Sequence, residues 1–298
     1  MDATTPSAHV PAPSVHLKAG AQGVLLFHGL CSSPLELIFL ARGLHRAGYT
    51  VRVPSMAGYT YRHGKTLTAK DWVAVALDEF DAMRESCESV TIGGLCLGSV
   101  LAMRVAALRA DKLQGLMCLS PSLHYDSWGN PWYTPLLPLA RYVPLAGRLR
   151  IREREPYGLK DERMRAWVAR QMRQAGESDA GAASLRVADI LQARSLIAGS
   201  RRALPDIHCP TLVVHAKEDE NATPRSAFEV MQGVRSAMTR LVLLQDCYHM
   251  VSIDREKEVV LNEMKDFLAS VSARAAAATF KAEATVLPFT VDKTGALQ

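Results

Sequence analysis

The stretch Ser89-Val90-Thr91-Ile92-Gly93-Gly94-Leu95-Cys96-Leu97-Gly98-Ser99-Val100-Leu101-Ala102-Met103 leaves the chain few choices of fold. It begins as a short run containing β-branched residues, the pattern of a buried strand. It passes through Gly94-x-Cys96-x-Gly98 and continues through Val100, Leu101, Met103, Val105 and Ala106 with helical spacing. Strand, tight turn between glycines, then helix is the context of a nucleophile elbow, whose central residue sits on a strained backbone. Glycines flank it because a Cβ there would collide with the adjoining strand and helix. The central residue here is Cys96. A thiol at a helix N-terminus meets the positive end of the dipole, which favours thiolate. The plainer reading is a buried structural cysteine in a Gly-rich turn. The strand–turn–helix context and the partners found downstream favour the elbow.

The rest of the chain repeats the alternation. Val15-His16-Leu17 reads as an edge strand and Gly23–Phe27 as a central one, ending at His28-Gly29-Leu30. Leu35 to Arg46 has helical periodicity, with Gly48 as a stop signal. Tyr49–Val53 is a strand, and a helix opens near Thr68 with Trp72, Val75, Leu77, Phe80 and Met83 as its apolar positions. Leu116–Leu119, Thr211–His215 and Arg240–Leu244 complete the strands, and Glu256 to Ser270 reads as an amphipathic helix. Strands alternating with helices predict a mostly parallel central sheet flanked by helices, an α/β fold. Between residues 125 and 200 no clear strand appears. That segment carries Trp132, Leu136, Leu137 and Leu139 and a run dense in arginine, and is expected to form a helical lid. The expected organisation is a flexible arm over 1–14, a core of 15–124 and 201–272, a lid over 125–200 and a tail over 273–298.

Composition narrows the function classes. The chain has 298 residues, 48% of them hydrophobic, enough to bury a sizeable core. A net charge of +5 without nucleic-acid-binding motifs argues against a nucleic-acid partner. No apolar run reaches spanning length, and the N-terminus lacks the layout of a signal peptide, so a cytoplasmic location is expected. The six cysteines show no framework spacing and are expected to be free thiols, with Cys31 and Cys247 near the site. No dinucleotide fingerprint, Walker A or H-E-x-x-H motif is present, and adjacent His208 and Cys209 do not make a zinc site. No cofactor and no metal are expected.

Three reactive residues follow the ends of three expected strands: Cys96, Asp219 and His249. In an open α/β sheet those ends face one crevice. The order nucleophile, acid, histidine fits a catalytic triad in which His249 takes the thiol proton and Asp219 fixes the imidazole tautomer. Glu218 and Glu220 flank Asp219 and compete for that role, and a helix-capping carboxylate is the plainer one. The N–H groups of Leu30 and Leu97 are candidate oxyanion donors. His28 is expected to brace its loop. Trp132 and Leu136 are candidate substrate-binding residues, although most of the lid's apolar side chains are expected to form its own core.

These residues resemble the α/β-hydrolase superfamily, and within it bacterial carboxylesterases and monoacylglycerol lipases with a small lid. The resemblance is carried by His28-Gly29, the elbow, the stretch His215-Ala216-Lys217-Glu218-Asp219-Glu220-Asn221-Ala222-Thr223-Pro224, and Tyr248-His249-Met250-Val251-Ser252-Ile253-Asp254-Arg255-Glu256. It implies the α/β-hydrolase fold and ester-bond chemistry. The departure is Cys96, where such esterases carry Ser. Gly-x-Cys-Leu-Gly resembles the elbow of dienelactone hydrolases, and polyhydroxyalkanoate synthases also place Cys in a lipase-like box. The expected activity is therefore hydrolysis or acyl transfer through an acyl-cysteine, on an ester, thioester or lactone with an apolar acyl part, free or carrier-bound. The alternative is a hydrolase-fold binding or sensor protein without turnover.

Overall fold

The structure, a computed structural model, describes residues 12–286 apart from 62, 64–66, 111, 144, 176, 179 and 180. Most of the expected flexible arm, and the end of the expected tail, lie outside the described residues. Seven strands form the main sheet: β1 (Val15–Leu17), β2 (Gln22–Phe27), β3 (Thr50–Val53), β4 (Ser89–Leu95), β5 (Gly115–Leu119), β6 (Thr211–Ala216) and β7 (Thr239–Leu244). Their order is β1-β3-β2-β4-β5-β6-β7, parallel throughout except for β1 against β3. The chain leaves β2 for β3 on one side and returns to β4 on the other. The crevice where the order reverses therefore opens between the ends of β2 and β4, directly above Phe27 and Leu95.

Period-2 alternation assigns each strand residue to one of two cores. Leu25, Phe27, Ile92, Leu116, Cys118 and Val213 face α2 (Ala69–Ser86), α3 (Leu97–Leu108), α5 (Val187–Arg202) and α6 (Arg225–Gly233). Val24, Leu26, Met117, Leu119, Leu212 and Val214 face α1 (Ile38–Arg46) and α7 (Lys257–Val286). Both faces are covered, which is why the central strands read as continuous apolar runs. Trp72 of α2 is fully buried, and its indole N–H donates to the Gly58 carbonyl at 3.0 Å. Burial of one such side chain contributes about 2–3 kcal/mol. A capping box of Thr68 and Asp71 starts that helix.

Three features of the segment between β5 and β6 bear on the expected helical lid. It contains two short antiparallel pairs, Arg150–Arg152 with Ser184–Arg186 and Glu177–Ser178 with Gly181–Ala182, too brief to show periodicity. Only α4 (Glu162–Ala175) forms a regular helix from the Arg-rich run. The end of the segment expected as lid, α5, buries Ala193, Leu196 and Ile197 in the core, and Ser200 donates to the Val100 carbonyl at 3.0 Å. At the C-terminal end, α7 continues past Ser270 to Val286, through an alanine-rich stretch of high helix propensity. Among the described residues no helix is long and apolar enough to cross a membrane.

Candidate active site

Cys96 stands at φ 57° and ψ −121°, between the last residue of β4 and the first of α3. Positive φ at a non-glycine residue costs on the order of 1–3 kcal/mol and persists only where the surroundings over-determine it. Here they do. The Cys96 N–H donates to the Leu119 carbonyl at 3.0 Å, and the buried Ser99 hydroxyl hydrogen-bonds near the Gly94 and Leu119 carbonyls at 2.6 and 2.8 Å. A Cβ at Gly94 would lie 2.4 Å from the Gly98 carbonyl carbon, and one at Gly98 would lie 2.1 Å from the Phe27 oxygen. Both neighbours are backbone, so only glycine fits at either position.

Behind the elbow, Asp219 and His249 meet. Asp219 Oδ2 accepts from His249 Nδ1 at 2.7 Å, and Oδ1 accepts the N–H groups of Asn221 and Ala222, each at 2.9 Å. Burial alone would raise the Asp219 pKa, but the His249 charge and these hydrogen bonds hold it below the usual carboxylate range. For His249, burial opposes the imidazolium, yet the charge and hydrogen bonding of Asp219 and Cys96 raise its pKa well above 6.5. With Nδ1 taken by Asp219, the interaction of the imidazole with the Cys96 thiol falls to Nε2. The structure also separates Asp219 from its neighbours. Glu218 is exposed and pairs with Lys160 at 3.0 Å, and Glu220 accepts from the His249 backbone N–H at 3.0 Å.

The loop after β2 lies against the elbow, since a Cβ at Gly29 would be 3.7 Å from that of Cys96. The buried His28 ring holds the loop: Nδ1–H donates to the Gly29 carbonyl at 2.7 Å, so Nε2 accepts from Thr60 at 2.8 Å. Burial pushes its pKa down to about 4, against the hydrogen bond to Gly29, which keeps it neutral. The N–H groups of Gly29, Cys31 and Ser32 all have acceptors, whereas those of Leu30 and Leu97 donate to no described protein group. Leu97 follows Cys96 in the chain, and Leu30 follows Gly29 in the adjoining loop.

A cavity of about 220 Å³ opens over the elbow, lined among others by Leu30, Cys96, Tyr125, Leu137, Ile151 and His249. Trp132 and Leu136, expected to bind substrate, do not line it. They are 84% and 52% exposed, and Thr134 and Leu137 take their place. The cause is the three-residue turn of the 3₁₀-helix Thr134–Tyr142, which stacks positions 134 and 137 on one face and turns Leu136 outward. Cys31 is held by Asp189 at 3.7 Å, and the Cys247 sulfur accepts from the Glu256 N–H at 3.2 Å. Burial pushes both thiols up to about 12.

Four residues of the site carried no signal strong enough to single them out in the sequence. Ser122 places its hydroxyl 3.4 Å from the Cys96 sulfur, and Tyr125 reaches the same thiol. Glu153 opens onto the cavity, surrounded by protein that raises its pKa, and faces His249. Glu36 is 1% exposed beside Gly29. Its one available signal was a carboxylate beside apolar residues in a segment with helical periodicity.

An α/β-hydrolase core carrying a thiol at its elbow, with an Asp–His pair behind it, is the class that fold and geometry define. The chain belongs to the Hydrolase_4 family, described as serine aminopeptidase, S33, which it matches over residues 20–256. It is 24% identical over 260 residues to a thermostable monoacylglycerol lipase of Bacillus sp. (strain H-257), covering 87% of this chain and 94% of that one. It is also 24% identical over 256 residues to a carboxylesterase of Bacillus subtilis (strain 168), covering 84% and 94%. Among solved structures it is similar to one of two metagenome-derived lipolytic enzymes, LipS and LipT, with a TM-score of 0.73, 25% identity and coverage of 88% and 98%. A monoacylglycerol lipase of Paleococcus ferrophilus shares the fold with a TM-score of 0.71, 17% identity and coverage of 87% and 98%. The chain is a hydrolase of the esterase and lipase type.

Proposed function

We propose that the protein cleaves or transfers acyl groups of esters or thioesters through a thioester on Cys96. The observation that carries this reading is the meeting of three elements at one cavity: a strained Cys96, an imidazole that interacts with its thiol and gives Nδ1 to Asp219, and an Asp219 saturated on its far oxygen. In the first half-reaction the Cys96 sulfur attacks the acyl carbon, its proton having passed to His249. The tetrahedral oxyanion is held by the N–H groups of Leu30 and Leu97. His249 then protonates the departing alkoxide or thiolate. In the second half, His249 takes a proton from water or an acceptor alcohol, thiol or amine, which attacks the thioester and frees Cys96. Asp219 holds the tautomer and offsets the imidazolium charge throughout.

The cavity wall includes Leu30, Leu137, Ile151 and Leu185, which suit an apolar acyl part. Turnover of nitrophenyl esters and acyl-CoAs of rising chain length measures how long an acyl group it takes. His249→Ala should lower kcat by about 10²–10⁴ on the best substrate. Equal turnover by His249→Ala and wild type contradicts the reading. Saturable binding without turnover of any ester, thioester or lactone indicates a binding protein instead.

A further inference from the structure

Glu36 is a buried carboxylate that the reaction above does not use. It lies in the single turn Pro34–Leu37 and lines the cavity wall. One carboxylate oxygen accepts the Gly29 N–H and the other the Ser32 hydroxyl. Glu36 therefore spans the turn from both sides, with Leu30 and Cys31 between its two anchors. The same turn is closed by the Ser32 N–H on the Gly29 carbonyl at 3.2 Å and by the Cys31 N–H on the Tyr59 carbonyl at 3.0 Å. Gly29 sits between the carboxylate and the elbow. A Cβ built on it would lie 3.4 Å from Glu36 Oε1 and 3.7 Å from the Cys96 Cβ.

We propose that Glu36 is the positioning residue of the oxyanion loop, clamping Gly29 and Ser32 so that the Leu30 N–H stays aimed at the substrate, and that it works as a neutral acid. This rests on the acyl-Cys96 reading above. The neutral form is required because a fixed negative charge beside the loop would oppose the oxyanion that the loop exists to hold. A protonated carboxyl keeps both contacts, accepting from Gly29 while it and the Ser32 hydroxyl exchange donor and acceptor roles.

The surroundings agree. Burial raises the Glu36 pKa to about 7, against the lowering by Ser32, Gly29 and the His249 charge. The titratable groups facing it are His249 from the loop after β7 and Tyr59 from the loop after β3, with Cys96 on the far side of Gly29. His28, next to Gly29, stays neutral, and burial keeps the Tyr59 phenol protonated. Glu153 and Glu220 face His249 from the cavity wall and from the Asp219 loop. Glu36→Gln tests the point because the amide keeps both contacts and removes the ionisation.

The experiment measures kcat and KM from pH 5.5 to 8.5 on one nitrophenyl ester for wild type, Glu36→Gln and Glu36→Leu. Glu36→Leu should lose on the order of 10²-fold in kcat with KM within about threefold. Glu36→Gln should recover most of that loss. Wild type should fall on the order of tenfold as pH rises through the Glu36 ionisation, and Glu36→Gln should lack that fall. Coincident pH profiles for wild type and Glu36→Gln, or an undiminished kcat in Glu36→Leu, overturn the proposal. Should Glu36→Leu not fold, the comparison with Glu36→Gln decides alone. The acyl mass on wild-type Cys96 separates the two levels: without it the acyl-cysteine reading fails, and with it a null result assigns failure to Glu36 only.

Discussion

Replacing Asp219 by Asn probes how the imidazole is set. Asp219 Oδ1 takes two backbone N–H groups, from Asn221 and Ala222, at 2.9 Å each. The Asn oxygen must keep those two donors, since turning the amide over would set its NH₂ against them and leave both unpaired in a buried loop. The NH₂ then faces His249 Nδ1, which in the native protein donates to Oδ2 at 2.7 Å. Nδ1 has to become an acceptor, so the proton moves to Nε2, the nitrogen on the Cys96 side. The sulfur then meets an N–H instead of a lone pair. The charge that raises the His249 pKa is lost in the same change. A base held in the wrong tautomer costs up to about 10⁴ in kcat, equivalent to about 5.5 kcal/mol of transition-state stabilisation. The volume and hydrogen-bond count are conserved, so the fold should survive. The assay is kcat on a nitrophenyl ester at pH 7, with iodoacetamide alkylation of Cys96 as a second readout and thermal melting as the control. A folded Asp219→Asn protein retaining a tenth or more of wild-type kcat refutes the reasoning.

Two further outcomes follow from the geometry. Gly98→Ala puts a Cβ 2.1 Å from the Phe27 oxygen and 2.6 Å from the His28 oxygen, both backbone. It should cost about 1–3 kcal/mol in urea unfolding and, by displacing the Leu30 loop, about 10² in kcat; a variant matching wild type in both contradicts the close-packed elbow. Glu220→Gln should stabilise the protein at pH 8 and leave it nearly unchanged at pH 4. Burial raises the Glu220 pKa from 4.5 to about 7, opposed by the His249 charge. The folded state therefore keeps a proton that the unfolded state releases, and stability falls as pH rises through that window. Two and a half pH units correspond to about 3 kcal/mol. Urea midpoints that do not diverge between pH 4 and pH 8 argue against a protonated Glu220.

The parts of the site legible from sequence were those with a local signature. Cys96 sits in a motif whose glycines are dictated by backbone contacts under 3 Å, and His28 and His249 follow strands with clear apolar runs. The sequence singled out Asp219 by its place after a strand but left Glu218 and Glu220 as competitors; the backbone separates the three, turning Glu218 to Lys160 and Glu220 to the His249 N–H. Glu36, Ser122, Tyr125 and Glu153 were hidden for the same reason: each meets Cys96, Gly29 or His249 through contacts that no spacing encodes. Trp132 and Leu136 lie outside the cavity lining because aromatic and leucine content in a lid marks apolar character without saying which face turns inward; for Leu136 the three-residue turn decides that. The pairs at Arg150–Arg152 and Ser184–Arg186 are three residues long, below the length at which alternation can be read.

The central claim is that carbon bonds to the Cys96 sulfur during turnover. The direct measurement is the intact and peptide mass of wild-type protein quenched in acid during turnover of a short-chain nitrophenyl ester, beside Cys96→Ala. The account predicts a single acyl increment on the peptide carrying Cys96, transient in wild type, and neither adduct nor turnover in Cys96→Ala. Full turnover by Cys96→Ala, or steady wild-type turnover with the acyl mass on another residue, contradicts it.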